Sequence, residues 1–110
     1  PDHEVPYAGQ PYLNDEFGGF MYIPPERAKF AANTWGYHGL DLKSPEELCA
    51  KIAEQVDYML TVPNLSGYCY TQLTDVETEE NGLLTYDRGL KIPLETIRSI
   101  NENRYIGTTL

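Results

Sequence analysis

Ser44-Pro-Glu-Glu-Leu-Cys-Ala-Lys-Ile-Ala-Glu-Gln-Val-Asp-Tyr-Met-Leu60 is the stretch on which the fold turns. Ser44 is a favourable N-cap residue and Pro45 suits the first helical position. Glu47 stands where a carboxylate can reach back to the cap's backbone N–H. Leu48, Ile52, Val56 and Met59 then recur at helical spacing and mark one buried face. Val62-Pro63 stops the pattern. A helix from Pro45 to about Leu60 is therefore predicted.

Upstream, Pro11 to Glu16 (Pro-Tyr-Leu-Asn-Asp-Glu) reads as a short strand closed by Gly18-Gly19, preceded by a loop over residues 1–10. Pro24-Pro25 followed by Glu-Arg-Ala-Lys-Phe-Ala-Ala suggests a short helix, and Trp35-Gly-Tyr-His-Gly39 an aromatic loop. Downstream, Gly67 to Leu73 is β-rich and reads as a second strand. An acidic loop follows, with Asn81-Gly82 as a tight-turn signal. A second helix is predicted from Pro93 to about Asn101, with Pro93 at N1 and Leu94, Ile97 and Ile100 on one face.

The order strand, helix, strand, helix implies an α/β fold with parallel pairing and a right-handed crossover. Two parallel strands are too few to stand alone, because such sheets are normally covered on both faces and open edges invite pairing. The expectation is a part of a larger sheet or barrel, or a chain that self-associates. The start at Pro1, with no initiator Met, reads as cut from something longer.

A chain of 110 residues suits one small domain. Its formal charge of −9 speaks against a nucleic-acid partner, since phosphate contacts need clustered Lys and Arg. The apolar runs are too short for a membrane span, and no secretory signal is expected. Cys49 and Cys69 lack metal-ligand spacing and read as buried free thiols, leaning towards a reducing, cytoplasmic compartment. Counting from Asp75, an EF-hand loop would need Gly and Glu where Glu80 and Tyr86 stand, so 75–82 reads as a solvated acidic loop. His3 and His38 are too isolated for a metal or a triad. No phosphate loop, CxxC or GxSxG occurs, and no cofactor is expected.

Asp15-Glu16-Phe17-Gly18-Gly19 places a carboxylate at the C-terminal end of a strand, followed by two glycines. In an α/β barrel that end is the reactive face, and glycines let a ligand or backbone come close. An acidic turn residue capping a loop is the competing reading. Retaining glycosidases need two carboxyl groups about 5 Å apart, one nucleophilic and one acid/base. Glu16 is a candidate for the first, while Glu77, Glu79 and Glu80 read as solvated and offer no second.

Two segments resemble glycoside hydrolase family 2, the β-galactosidases, β-glucuronidases and β-mannosidases. Asn14-Asp-Glu-Phe-Gly-Gly19 looks like the family's Ser-Glu-Phe-Gly-Gly stretch ending the seventh barrel strand. Gly67-Tyr-Cys-Tyr-Thr-Gln-Leu-Thr-Asp-Val-Glu77, continued by Glu80-Asn-Gly-Leu-Leu-Thr-Tyr-Asp-Arg88, looks like the eighth strand and its loop. The Trp35-Gly-Tyr37 loop and the Ser44-Pro-Glu-Glu helix fit in order and spacing. The resemblance implies the last two strand–helix units of a (β/α)8 TIM barrel over residues 1–110, completed by the remainder of the catalytic barrel. It implies hydrolysis of β-glycosides with retention, Glu16 being the nucleophile. The family's acid/base residue, in an Asn-Glu pair ending the fourth strand, has no counterpart here, so the isolated chain is expected to be inactive. Trp35, Tyr37, Tyr70, Thr71 and Gln72 are the candidate contacts to a carbohydrate substrate. Asp15 stands where the family has Ser, and is expected to point away from Glu16. Thr71 stands where many relatives have Trp. The alternative is a non-catalytic carbohydrate-binding or assembly module, with Trp35, Tyr37, Tyr68 and Tyr70 as a sugar platform.

Overall fold

The computed structural model describes residues 6–30, 34–36 and 41–105, apart from the side chains of residues 29, 30 and 41. The helix expected after Ser44 forms as α1, Pro45–Thr61. Ser44 is extended and its Oγ accepts from the Glu47 N–H at 3.1 Å. The Glu47 carboxylate reaches one residue further back than a capping box would place it, accepting the Lys43 N–H at 2.6 Å. Val62 ends α1, its N–H turning back to the Met59 carbonyl. Leu48, Cys49, Ile52, Ala53, Val56 and Met59 form the buried stripe. Ser44→Ala should lower stability by about 1 kcal/mol, read as a lower urea midpoint. An unchanged midpoint would show that the cap bond is not made.

β1, Tyr12–Gly18, pairs in parallel with β4, Leu65–Thr71, across the α1 crossover. Both strands lie close to where composition and flanking turns predict them. Between the Asn14–Tyr68 and Phe17–Tyr70 pairs, Asp15 and Glu16 together face Cys69, so β1 carries a bulge there. β2, Met21–Tyr22, and β3, Asp41–Leu42, make a separate parallel pair, with a 3-10 helix at Pro25–Phe30 after β2. α2 spans Leu94–Asn101 with Pro93 at the N-cap rather than at N1. Its buried residues are Thr96, Ser99 and Ile100, while Leu94 is 65% exposed. The small Thr96 and Ser99 side chains suit close approach of α2 to its neighbours, and the Ser99 hydroxyl is satisfied by the Thr96 carbonyl.

The expected end of a (β/α)8 barrel is not what forms. Among the described residues the chain has two helices and a two-stranded parallel sheet, β1–β4, with the short β2–β3 pair apart from it. Barrel strands are buried on both faces, whereas along β1 only Gly18 is buried, and Tyr12 and Leu13 are 55% and 60% exposed. The core gathers around α1, where Phe20, Tyr22, Leu42, Ile92 and Ile100 join its stripe.

Nor does α2 follow β4 directly. Residues 72–93 intervene, tied by bridges between Thr74 and Leu84, Val76 and Glu79, and Leu84 and Leu90. Turns in this segment lie at Glu77-Thr78, where Val76 and Glu79 exchange backbone hydrogen bonds at 3.1 and 2.9 Å, and at Tyr86-Asp87, where the Arg88 N–H donates to the Thr85 carbonyl at 2.9 Å. The tight turn expected at Asn81-Gly82 is absent, because both residues are buried. Of the two free thiols, Cys49 is buried, which pushes its pKa up to about 11, but Cys69 is exposed on β4.

Candidate functional site

Parallel pairing brings the carboxyl ends of β1 and β4 to one edge. Gly18 and Gly19 turn the chain there with φ of 98° and 75°, a left-handed region that other residues adopt only under strain. A side chain at Gly18 would also meet the Tyr70 ring, since a Cβ there would lie 2.5 Å from Tyr70 Cε2. Gly19 then donates its N–H to the Thr71 carbonyl at 2.8 Å, locking the two strand ends together.

Glu16 lies in the β1 bulge just before this turn, with its side chain exposed. Its backbone N–H donates to Asn14 Oδ1 at 3.3 Å. Asp15 borders a groove of about 450 Å³ that also takes in Tyr12, Leu13, Tyr58 and Met59, on the α1 side of β1. A bulge can send neighbouring side chains in different directions.

Thr71 and Gln72 close β4 at the same edge, joined by a cis peptide bond. The Gln72 N–H donates to the Asn81 carbonyl at 3.2 Å, and its Nε2 reaches the Glu79 carbonyl at 3.4 Å. Trp35 is attached to the same segment, donating its N–H to Thr78 at 2.7 Å and accepting from the Glu80 N–H at 2.8 Å. Trp35 as a whole is 43% exposed. Glu16, Thr71, Gln72 and Trp35 therefore belong to one end of the sheet and the segment tied to it. Tyr37, like His3 and His38, lies outside the described residues.

Tyr70 faces inward. Its ring packs edge-on against Phe17 with centroids 5.2 Å apart, and its hydroxyl is buried without a hydrogen-bond partner. That burial pushes its pKa well above the ordinary tyrosine value. Tyr68 is engaged likewise, edge-on to Phe17 and donating its hydroxyl to Asn101 Oδ1 at 2.6 Å.

The residues that sequence reasoning missed lie beneath Trp35 and Gln72. Asp75 and Glu80, read as solvated, are only 2% and 9% exposed. Lys91 Nζ sits 2.8 Å from Asp75 Oδ1 and donates to the Glu80 carbonyl at 3.1 Å. The Gly82 N–H adds a bond to Asp75 Oδ1 at 2.8 Å. The Glu80 carboxyl is pushed up to about 7 by burial, then by Asp75 beside it. Lys91 is drawn below the ordinary lysine range by burial, while Asp75 and Glu80 favour its charged form. Asn81 completes the cluster, fully buried with neither end of its amide paired. The one available signal was Lys91 set between the apolar Leu90 and Ile92, since a lysine flanked this way and drawn inward needs a carboxylate.

Among the described residues, no group of three or more His, Cys, Asp or Glu could hold a metal ion. The arrangement offers an exposed carboxylate, a partly exposed tryptophan and an amide side chain near one strand edge, above a buried and ionisable support. No protein-family model matches the chain, and no curated protein matches it either.

Proposed function

We propose that this chain supplies the nucleophile of a retaining β-glycosidase, with Glu16 attacking the anomeric carbon to form a glycosyl-enzyme that water then hydrolyses. One observation carries the reading. Glu16 is exposed at the carboxyl end of β1, the edge that also holds Thr71 and Gln72 and lies beside the Trp35 segment. A carboxylate must be free to approach a sugar carbon, and exposure beside a glycine turn meets that need. An indole face packs well on the apolar side of a pyranose, and an amide suits its hydroxyls.

Double displacement also needs a second carboxyl about 5 Å from the first, to protonate the leaving oxygen and later activate water. The proposal assigns that group to polypeptide outside these 110 residues. In the full-length enzyme so required, a 2-deoxy-2-fluoro glycosyl inactivator is expected to label Glu16, located by peptide mass mapping. Label on another residue, or full activity in a Glu16→Gln variant, would refute the assignment.

A further inference from the structure

Two carboxyl groups and one ammonium are enclosed together behind the strand ends. Lys91 Nζ can balance one negative charge, and it lies 2.8 Å from Asp75 Oδ1. Glu80 is only 9% exposed and shares that enclosure, while the one ammonium already stands at contact distance from Asp75. A second buried carboxylate with no ammonium of its own is favoured in its neutral form, so Glu80 is the group that keeps a proton. The cluster is thus complete only with Glu80 neutral.

Its backbone connections give that proton a reach. The Glu80 N–H donates to the Trp35 carbonyl at 2.8 Å, and the Glu80 carbonyl accepts from Lys91 Nζ at 3.1 Å and the Tyr22 N–H at 3.3 Å. The next residue, Asn81, accepts the Gln72 N–H. Removing the proton leaves two buried like charges sharing one ammonium, and the segment must shift or admit water.

We propose that Asp75, Glu80 and Lys91 form a proton-held clasp that positions Trp35 and Gln72, closed while Glu80 is protonated and loosened when it ionises. The ionisable groups acting on Glu80 are Asp75 from the segment after β4, Lys91 from the approach to α2, and Arg27 from the 3-10 helix. Burial and Asp75 raise its pKa from 4.5 to about 7, while Lys91 and Arg27 oppose the rise. The stabilisation from a protonated Glu80 is therefore fully present below pH 4.5, and is lost as pH climbs through about 7.

The clasp does not depend on the glycosidase reading, because no sugar enters its test. Trp35 is the only tryptophan, so its emission reports on the held segment. In the 110-residue chain, emission should move to longer wavelength with a midpoint near pH 7. Glu80→Gln, which keeps a neutral donor, should hold the low-pH spectrum throughout, and the exposed Glu77→Gln should titrate like the unaltered chain. A flat response in the unaltered chain, or the same transition in Glu80→Gln, would overturn the proposal. The carboxyl ¹³C shift of Glu80 in the unaltered chain decides the matter independently of any variant. A midpoint near 7 supports the clasp, and one near the ordinary 4.5 overturns it.

Discussion

Asp75→Ala should cost about 3–5 kcal/mol of folding stability at neutral pH. The side chains of Lys91 and Asp75 are 0% and 1% exposed, so removing the carboxylate leaves an ammonium enclosed with no counter-ion at contact distance. It also strips the Gly82 N–H of its acceptor. A small domain has about 5–15 kcal/mol in total, so a loss of this size should populate unfolded chain in dilute urea. The paired change Asp75→Ala with Lys91→Met separates a missing partner from a missing attraction. Replacing a buried ion pair by apolar groups is often close to neutral, so the double variant should recover much of the loss. Urea titrations of all three proteins measure this. A single-variant loss below about 1 kcal/mol would mean that water reaches Lys91 and that the site is not sealed.

That cluster also shows where reading the sequence stopped. α1 was legible because independent signals agreed: a cap at Ser44, a proline at Pro45, a carboxylate at Glu47 and an apolar stripe from Leu48 to Met59. The two strands were legible from composition and flanking turns. Their closure into a barrel came from resemblance rather than from periodicity, and the exposed Tyr12 and Leu13 of β1 do not support it. Asp75 and Glu80 were misread because local charge density argues for solvent, as it does correctly for Glu77, while the cation that lets them go inside is Lys91, which a local window does not include. A long-range ion pair leaves no periodic trace. At the candidate site, Glu16 was singled out from its place before Gly18-Gly19, and the structure leaves it exposed. The tyrosines were misjudged although the information was present. Alternation puts Tyr68 and Tyr70 on one face of β4 and Cys69 on the other. The two tyrosine rings meet Phe17, while the thiol faces out.

Gly82→Ala should be comparably damaging, by a different route. A Cβ at this position would lie 2.4 Å from both the Thr74 carbonyl carbon and the Asp75 nitrogen, and 2.8 Å from Asp75 Oδ1. The first two are backbone atoms, held by the Asp75 N–H bond to the Leu84 carbonyl at 2.9 Å, so neither can swing aside. The two strands of chain must separate, stretching the Gly82 N–H bond to Asp75 and exposing the ion pair beneath. Overpacking costs typically 1–3 kcal/mol, and about 3 kcal/mol is expected where the obstacle is backbone on a buried charge. Gly67→Ala is the informative contrast. The Cβ there would meet only Leu13 Cδ2, at 3.1 Å, the tip of a side chain that is 60% exposed and can rotate away. Reduced freedom of the unfolded chain would offset what crowding remains, leaving a change within about 0.5 kcal/mol. Urea midpoints that fell equally for the two variants would show that residues 74–75 and 82 are not packed backbone to backbone, and that the floor beneath Trp35 and Gln72 is looser than the geometry requires.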